Sequence, residues 1–143
     1  MAFTSSKPGC TQLINFFRIN QVMHFVDLPG YGYARVPLEI KAQWKGLIES
    51  YLLTRKTLVA VVVILDSRRG WMEKDLELKS WLEFQQIPYL VVATKIDKLN
   101  QKEQHRSLTS ITSELSGGEL FPFSAVTGRG AREIWEAISK TTK

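Results

Sequence analysis

The sequence predicts an α/β fold with an open, mostly parallel sheet and helices on both faces. The prediction rests on short apolar runs rich in β-branched residues, on segments with helical spacing, and on the regular alternation of the two. The longest run, 58–65, reads LVAVVVIL and is typical of a strand buried on both faces. A chain of 143 residues, 44% of them apolar, suits one compact domain.

Five strands and four helices follow from these patterns. The strands are predicted at 13–19, 22–26, 58–65, 89–94 and 120–124, with one helix after each strand from the second onward. Pro37 suits the first turn of the first helix, and Asn100 with Glu103 forms an N-cap pair before the third. The apolar helix faces are predicted to bury three tryptophans, Trp44, Trp81 and Trp135.

Composition narrows the class of protein. The net charge of +5 is compatible with RNA or another polyanionic partner without establishing one. Cys10 is the only cysteine, so no internal disulfide forms, and no Cys/His cluster predicts zinc. The first ten residues lack the apolar core of a signal peptide, and no apolar run could span a bilayer. We therefore expect a cytoplasmic protein.

The stretch 25–36, FVDLPGYGYARV, places an acid and a glycine after the second predicted strand. Ligands of open parallel sheets bind at the carboxyl ends of the strands. Asp27 at such an end is suited to hold Mg²⁺ through water, since this ion keeps much of its hydration shell. Gly30 has no side chain, so its N–H can approach a phosphate oxygen closely. An ordinary strand-end turn remains the alternative.

The sequence Thr94-Lys95-Ile96-Asp97 follows the fourth predicted strand. The Asp97 carboxylate can accept hydrogen bonds from N1–H and the 2-amino group of guanine, whereas adenine offers neither donor there. The stem of Lys95 could lie over the flat base. A surface turn with an ion pair is the alternative. After the fifth strand, a backbone N–H at Ser124-Ala125 could reach the guanine carbonyl oxygen.

Two further stretches have weaker individual meaning. In the polar loop 5–12, SSKPGCTQ, the Thr11 hydroxyl could bind Mg²⁺ when a γ-phosphate is present, although an isolated threonine needs no such role. Arg68 and Arg69 form a basic turn, for which a solvated loop is the default interpretation and contact with nucleic-acid phosphates is the alternative. Taken together, the segments at Thr11, Asp27, Thr94–Asp97 and Ser124 occur in the order expected of a GTP-binding domain.

Several longer stretches make the resemblance specific. The segments SSKPGCTQLINFF, VDLPGYGYARV, TRKTL, VVVILDSRRG, TKIDK and FSAVTGRG resemble the EngB (YihA/YsxC) family of bacterial GTPases over essentially the whole chain. The resemblance implies a Ras-like fold in a single monomeric G domain, Mg²⁺-dependent binding of GTP and GDP, and slow hydrolysis. It also implies a switch role in assembly of the large ribosomal subunit, with rRNA and ribosomal proteins as partners, and a link to cell division and septation.

The resemblance also implies the site residues. Residues 9–13 would form the first switch, with Thr11 as a Mg²⁺ ligand, and residues 27–30 would open the second, with Asp27 as the other ligand. Cys10 stands where family members usually carry a basic residue. The implied nucleotide-binding residues are Gly9, Cys10, Thr11, Gln12, Leu13, Asp27, Leu28, Pro29, Gly30, Thr94, Lys95, Ile96, Asp97, Phe123, Ser124 and Ala125.

One family feature is missing from the sequence. No G-x-x-x-x-G-K-S/T stretch occurs, although in the family this phosphate loop, its strand and its helix precede the position of Met1. We therefore expect a fold without these elements, an unfilled place between the strands at 22–26 and 58–65, and poor nucleotide binding. A mis-called start codon or a fragment explains this more simply than an evolved loss.

The catalytic group stays unassigned. Ras-like enzymes orient the attacking water with a glutamine after D-x-x-G, and Tyr31 holds that place here. Hydrolysis should therefore be slow unless it is stimulated. Two alternatives remain open: a nucleotide-free scaffold that contacts the ribosome or a protein, and an unrelated doubly wound hydrolase of phosphorylated small molecules.

Overall fold

A computed structural model describes residues 14–28 and 37–141 of the chain. The chain divides into two compact units, Met1–Lys56 and Thr57–Lys143.

The first unit contains a β-hairpin. Strands β1 (Asn15–Ile19) and β2 (Met23–Asp27) pair antiparallel, with Asn15 opposite Asp27. Asn20 and Gln21 at the turn both have positive φ, and the N–H of Val22 donates to the carbonyl of Ile19 at 3.1 Å. A turn with two left-handed central residues matches the right-handed twist of the flanking strands, so this hairpin closes tightly.

Helix α1 (Leu38–Thr54) completes the described part of this unit and begins directly after Pro37, as predicted. Its buried residues recur every four positions and are Trp44, Ile48 and Leu52. The ring of Phe16 in β1 meets Tyr51 edge to face at 6.3 Å, and the Arg55 guanidinium lies 5.5 Å from the Phe16 ring centre. These aromatic and cation–π contacts hold β1 against α1.

The second unit is a three-stranded parallel sheet with connecting helices. Its strands β3 (Val61–Asp66), β4 (Tyr89–Thr94) and β5 (Glu119–Pro122) lie in the order β3-β4-β5. Helix α2 (Glu73–Phe84) connects β3 to β4, and α3 (Gln101–Ser113) connects β4 to β5. Helix α4 (Ala131–Thr141) follows β5. The predicted order of strands and helices along the chain is therefore confirmed.

Burial within this sheet differs between strands. The central strand β4 is buried from Leu90 to Ala93, which forms the core of the unit. In β3 only alternate residues are buried, while Val62 and Ile64 are 39% and 64% exposed. The prediction of a strand buried on both faces was therefore wrong for 58–65, because one face of β3 is buried while the other, which carries Val62 and Ile64, is exposed. Among the described residues, β2 and β3 belong to separate sheets.

The three tryptophans that were predicted to be buried differ in their exposure. Trp44 is buried as predicted and Trp81 is half-buried. Trp135 is 41% exposed, so its assignment to the core was wrong. Helix α4 turns Ile134 and Ile138 inward to half-buried positions, and each further residue rotates about 100° around a helix, which directs Trp135 away from that face.

Candidate functional site

The carboxyl ends of β3, β4 and β5 lie along one edge of the sheet, which brings two predicted site segments together. Asp66 at the end of β3 pairs in register with Thr94 at the end of β4, and Ala93 pairs with Pro122 of β5. The segments 94–97 and 123–125 therefore lie side by side, as the strand-end rule predicts.

The segment Thr94–Asp97 turns sharply. Lys95 has φ +59° and ψ +32°, a left-handed conformation that costs a non-glycine residue about 1 kcal/mol or more. A 3₁₀ turn, Ile96–Lys98, follows, and the buried Ile96 donates its N–H to the carbonyl of Phe123 at 3.2 Å. Strain of this kind persists where the surroundings hold it, and it is concentrated at functional sites.

Thr94 joins two strands at this edge. Its hydroxyl donates to the carbonyl of Leu65 at 3.0 Å, and its own carbonyl accepts from the N–H of Ser67 at 3.0 Å. The residue thereby sets the spacing of the β3 and β4 ends immediately before the strained Lys95. Thr94 therefore helps to fix the geometry of the carboxyl edge of the sheet.

Asp97 is oriented by a buried neighbour. Its Oδ1 accepts a hydrogen bond of 2.7 Å from the hydroxyl of Ser124, which is fully buried. The Ser124 hydroxyl in turn accepts from the N–H of Thr127 at 3.1 Å. Within the described residues, Oδ2 of Asp97 has no hydrogen-bond donor. A half-buried carboxylate held through one oxygen can present the other to a ligand with paired N–H donors.

The loop after β5 is closed by its own backbone. The N–H of Ser124 donates to the carbonyl of Arg129 at 3.0 Å, and that of Phe123 donates to Ala93 at 2.8 Å. In the described part of the chain, Ala125 is the residue of 123–125 whose N–H makes no such bond. Gly130 has φ +89°, and a Cβ there would overlap the carbonyl oxygen of Pro122. Of the two residues predicted to offer a backbone N–H to the guanine carbonyl oxygen, Ser124 and Ala125, the structure therefore favours Ala125.

Gln104 and Arg129 support the site, and sequence reasoning missed both. The Gln104 amide donates from Nε2 to the carbonyls of Ile96 and Leu99 at 3.0 and 2.9 Å. Its Oε1 accepts from Nη1 of Arg129 at 2.8 Å. One side chain of α3 therefore connects the turn at 96–99 to the loop after β5. No motif or periodicity in the sequence marks this pair.

Asp66 is the third residue that the sequence reasoning missed. Nε and Nη2 of Arg68 donate to its two carboxylate oxygens at 3.1 and 2.7 Å, and Nζ of Lys95 lies 3.6 Å from Oδ2. The side-chain hydrogen bonds from Arg68 are the main reason that the pKa of Asp66 lies far below its ordinary value, against the opposing effect of burial. Arg68 is therefore paired with a carboxylate. The sequence signal that could have predicted this pair is an acid at a strand end followed two residues later by an arginine.

The remaining predicted site residues belong to the first unit. Asp27 ends β2 and is exposed, with the half-buried Leu28 beside it. Residues 9–13, Pro29, Gly30 and Tyr31 lie outside the described residues. The part of the chain that the structure describes contains no group of three or more His, Cys, Asp or Glu side chains able to hold a metal ion. Of the predicted Mg²⁺ ligands, Asp27 is thus the one whose position is known.

None of the helices in the described ranges combines the length and apolar character that crossing a membrane requires.

Comparisons with known proteins point to one class. A family model described as "50S ribosome-binding GTPase" matches residues 1–95. A "Probable GTP-binding protein EngB" from Solibacter usitatus is 61% identical over 99% of this chain and 73% of the relative. Another from Desulforapulum autotrophicum is 45% identical, over 94% of this chain and 71% of the relative.

Solved structures of low sequence identity share the fold. A crystal structure of a probable GTP-binding protein engB matches with a TM-score of 0.74 at 22% identity, covering 96% of this chain and 83% of that protein. Era, crystallised with MgGDPNP and nucleotides 1506–1542 of 16S ribosomal RNA, also gives 0.74 at 22% identity, covering 96% of this chain and 47% of Era. The predicted Ras-like α/β fold is confirmed by these matches.

Proposed function

The chain belongs to the EngB family of GTP-binding proteins, and on that premise we propose that its second unit recognises the guanine base of GTP and GDP. The single observation that supports this most strongly is the 2.7 Å hydrogen bond from the buried Ser124 hydroxyl to Asp97. It orients a carboxylate at the carboxyl edge of a parallel sheet, where such folds bind ligands.

Three groups each contact a different part of the guanine base. The Asp97 carboxylate accepts from N1–H and the 2-amino group of guanine, and the Ala125 N–H donates to the guanine carbonyl oxygen. The aliphatic stem of Lys95 covers one face of the ring while its ammonium group stays near Asp66. Adenine has an acceptor at N1 and no 2-amino group, so it leaves Asp97 without donors and is rejected.

Magnesium and switching form the second part of the proposal. Asp27, through water, and Thr11 hold Mg²⁺, which supplies charge neutralisation at the phosphates when it is bound. GTP orders the segments around Thr11 and Gly30, and slow hydrolysis releases them. The chain has no G-x-x-x-x-G-K-S/T stretch, so its own residues supply base recognition and the two Mg²⁺ ligands but no phosphate loop, and the affinity is low.

The cellular part of the proposal is a switch in assembly of the large ribosomal subunit, with consequences for cell division and septation. The description of the matching family model, "50S ribosome-binding GTPase", and the net charge of +5 support contact with ribosomal RNA.

The base-recognition proposal is tested by NMR titration of the ¹⁵N-labelled chain with GDP, ADP and xanthosine diphosphate, because this method detects weak binding residue by residue. GDP is expected to shift the amides of Lys95, Asp97 and Ala125, whereas ADP leaves them unchanged. Asp97→Asn should weaken GDP binding by about 10- to 100-fold, the value of hydrogen bonds to a charged group, and create a response to xanthosine diphosphate. Glu133→Gln, which removes an exposed acid on α4, is the matched control.

Two other outcomes of the titration would each replace the base-recognition proposal. If GDP shifts none of these amides while the chain still sediments with ribosomal particles, a nucleotide-free scaffold replaces the proposal. If Asp97→Asn leaves the response to every nucleotide unchanged, Asp97 does not recognise the base, and a hydrolase of phosphorylated small molecules becomes the better interpretation.

A further inference from the structure

The cations of the second unit differ in whether they have an acidic partner. On α2 and α4 most of the basic side chains are paired within their own helix. The pairs are Lys74–Glu77 at 3.1 Å, Lys79–Glu83 at 2.9 Å and Arg132–Glu136 at 3.0 Å. Such pairs cancel most of the charge that a polyanion would otherwise meet at these two helices.

Helix α3 has cations without such partners. Lys102 and Arg106 are exposed, and among the described residues neither forms an ion pair. They are separated by four residues, about 6 Å along the helix axis, and therefore lie on one side. The only acid in this helix, Glu103, accepts from the N–H of Asn100 at 3.0 Å as part of the N-terminal cap. Its carboxylate is thus committed to the helix end.

A third cation is brought to α3 by a loop. The Ser107 hydroxyl donates to the carbonyl of Ser67, and Trp71 Nε1 donates to the carbonyl of Ile111 at 3.0 Å. These two bonds hold the loop between β3 and α2 against α3 at both ends. Arg69 lies between them and is exposed, without an ion pair to any described residue. Its neighbour Arg68 is occupied by Asp66.

We propose that Arg69, Lys102 and Arg106, here named the α3 basic surface, bind the backbone phosphates of RNA. Exposed cations that no described acid pairs are what phosphate contacts require, and the counterions they displace provide the binding free energy. The proposal deepens the role in ribosomal-subunit assembly and rests on it for the presence of RNA. Gln104 of the same helix donates to the carbonyls of Ile96 and Leu99, so α3 carries Lys102 and Arg106 and also supports the turn that contains Asp97.

The chemistry of the helix favours RNA over the other anionic partners. Every exposed residue of α3 is polar, and its apolar side chains Leu108 and Ile111 face the core. A membrane-surface helix needs an outward apolar face, which α3 lacks. A protein interface needs aromatic or aliphatic anchors at its centre, whereas phosphate contacts are polar and well hydrated.

The test measures binding of the full chain to a fluorescein-labelled RNA hairpin with a stem of about 16 base pairs. Fluorescence anisotropy gives Kd from about 50 to about 200 mM KCl, the range over which counterion release is large. The double variant Lys102→Gln/Arg106→Gln should lower the slope of log Kd against log salt by about 2, one for each lost phosphate contact. Adding Arg69→Gln should lower it by about 1 more.

The matched control is Lys74→Gln/Arg132→Gln, which removes the same charge from two exposed cations that are already paired. It should change the slope by less than about 0.5. Equal changes in the two double variants would show that net charge alone matters and would overturn the α3 basic surface. Tighter binding to polyglutamate or to phosphatidylserine vesicles than to RNA at equal charge concentration would overturn the RNA assignment.

The RNA assay contains no nucleotide, so its outcome is independent of base recognition. The GDP titration is repeated on both double variants, and unchanged amide shifts are expected because neither pair belongs to the base-recognition site. A lost GDP response in the unmodified chain with the expected RNA slopes would refute base recognition and leave the α3 basic surface intact.

Discussion

The carboxyl edge of the β3-β4-β5 sheet and the β1–β2 hairpin present their functional residues differently. At the sheet edge each key side chain is held by a group on another element, as Asp97 is by Ser124 and Gln104 by Arg129. In the hairpin Asp27 is exposed, and its side chain accepts no hydrogen bond from another described residue.

This difference follows from what each site has to recognise. Discrimination between guanine and adenine depends on acceptors fixed to within about 0.5 Å, so their orientation must be set before the base arrives. A hydrated Mg²⁺ brings its own water shell and accepts a carboxylate through water, so a single exposed acid can contribute without such support. Substitutions of buried or closely packed residues at the sheet edge should therefore affect stability more than substitutions at the hairpin end.

The largest effect is expected at Gly130. Gly130→Ala should lower the free energy of unfolding by about 3 kcal/mol or more, because its Cβ meets the Pro122 backbone and its φ is +89°. Urea denaturation of the chain measures this change. Gly128→Ala is the control: its φ is +81° with nothing within 4 Å of the new Cβ, and strain alone should cost about 1 kcal/mol. Equal losses in the two variants would show that the close approach to Pro122 is not decisive.

Ser124→Ala comes next. It removes the donor to Asp97 and the acceptor for Thr127 at a fully buried position, and should cost about 2 kcal/mol of unfolding free energy. The same variant should weaken the GDP-induced shift at Asp97, since the carboxylate loses its orientation. Ser80→Ala on the exposed side of α2 is the control and should change neither quantity. A stable Ser124→Ala variant with a normal GDP response would contradict the proposal that Ser124 orients the Asp97 carboxylate before the base binds.

Asp66 should make stability depend on pH. Its pKa is depressed in the folded chain by Arg68, so its stabilisation is present above the ordinary pKa of 3.8 and is lost as pH falls through the folded value. Asp66→Asn should flatten the decline of the unfolding free energy between about pH 5 and pH 2, relative to Glu133→Gln. At neutral pH its cost should be at most about 1 kcal/mol, because the Arg68 partner is largely exposed. A decline as steep in Asp66→Asn as in the unmodified chain would contradict this.

The smallest effect is expected at Asp27. Asp27→Asn should change the free energy of unfolding by less than about 0.5 kcal/mol, as is usual for an exposed group with no partner among the described residues. Urea denaturation in the absence of magnesium measures it. A loss above about 1 kcal/mol would mean that Asp27 is supported in the folded chain much as Asp97 is, and the contrast between the two regions would fail.

Much of the arrangement was predictable because it depends on local patterns. The alternation of apolar runs with helical spacing predicted the order of the strands and helices, and the strand-end rule placed 94–97 beside 123–125. The predictions that were wrong concern burial: the side chains of Val62 and Ile64 lie on an exposed face of β3, and Trp135 is turned outward on α4. Whether a second face is covered depends on neighbours that are remote in sequence.

By itself the sequence determined which residue types stand at the strand ends and which family the chain resembles. Both properties depend only on residues that are adjacent along the chain. Only the tertiary structure decided which side chains meet. Residues 97 and 124 are brought together by the register of β4 and β5, and residues 104 and 129 by the packing of α3 beside two loops. That no described acid pairs with Lys102 or Arg106 is likewise a tertiary property, because it depends on where the acids of the second unit lie. Sequence spacing defines positions along an element, whereas contacts between elements arise only when the chain is packed.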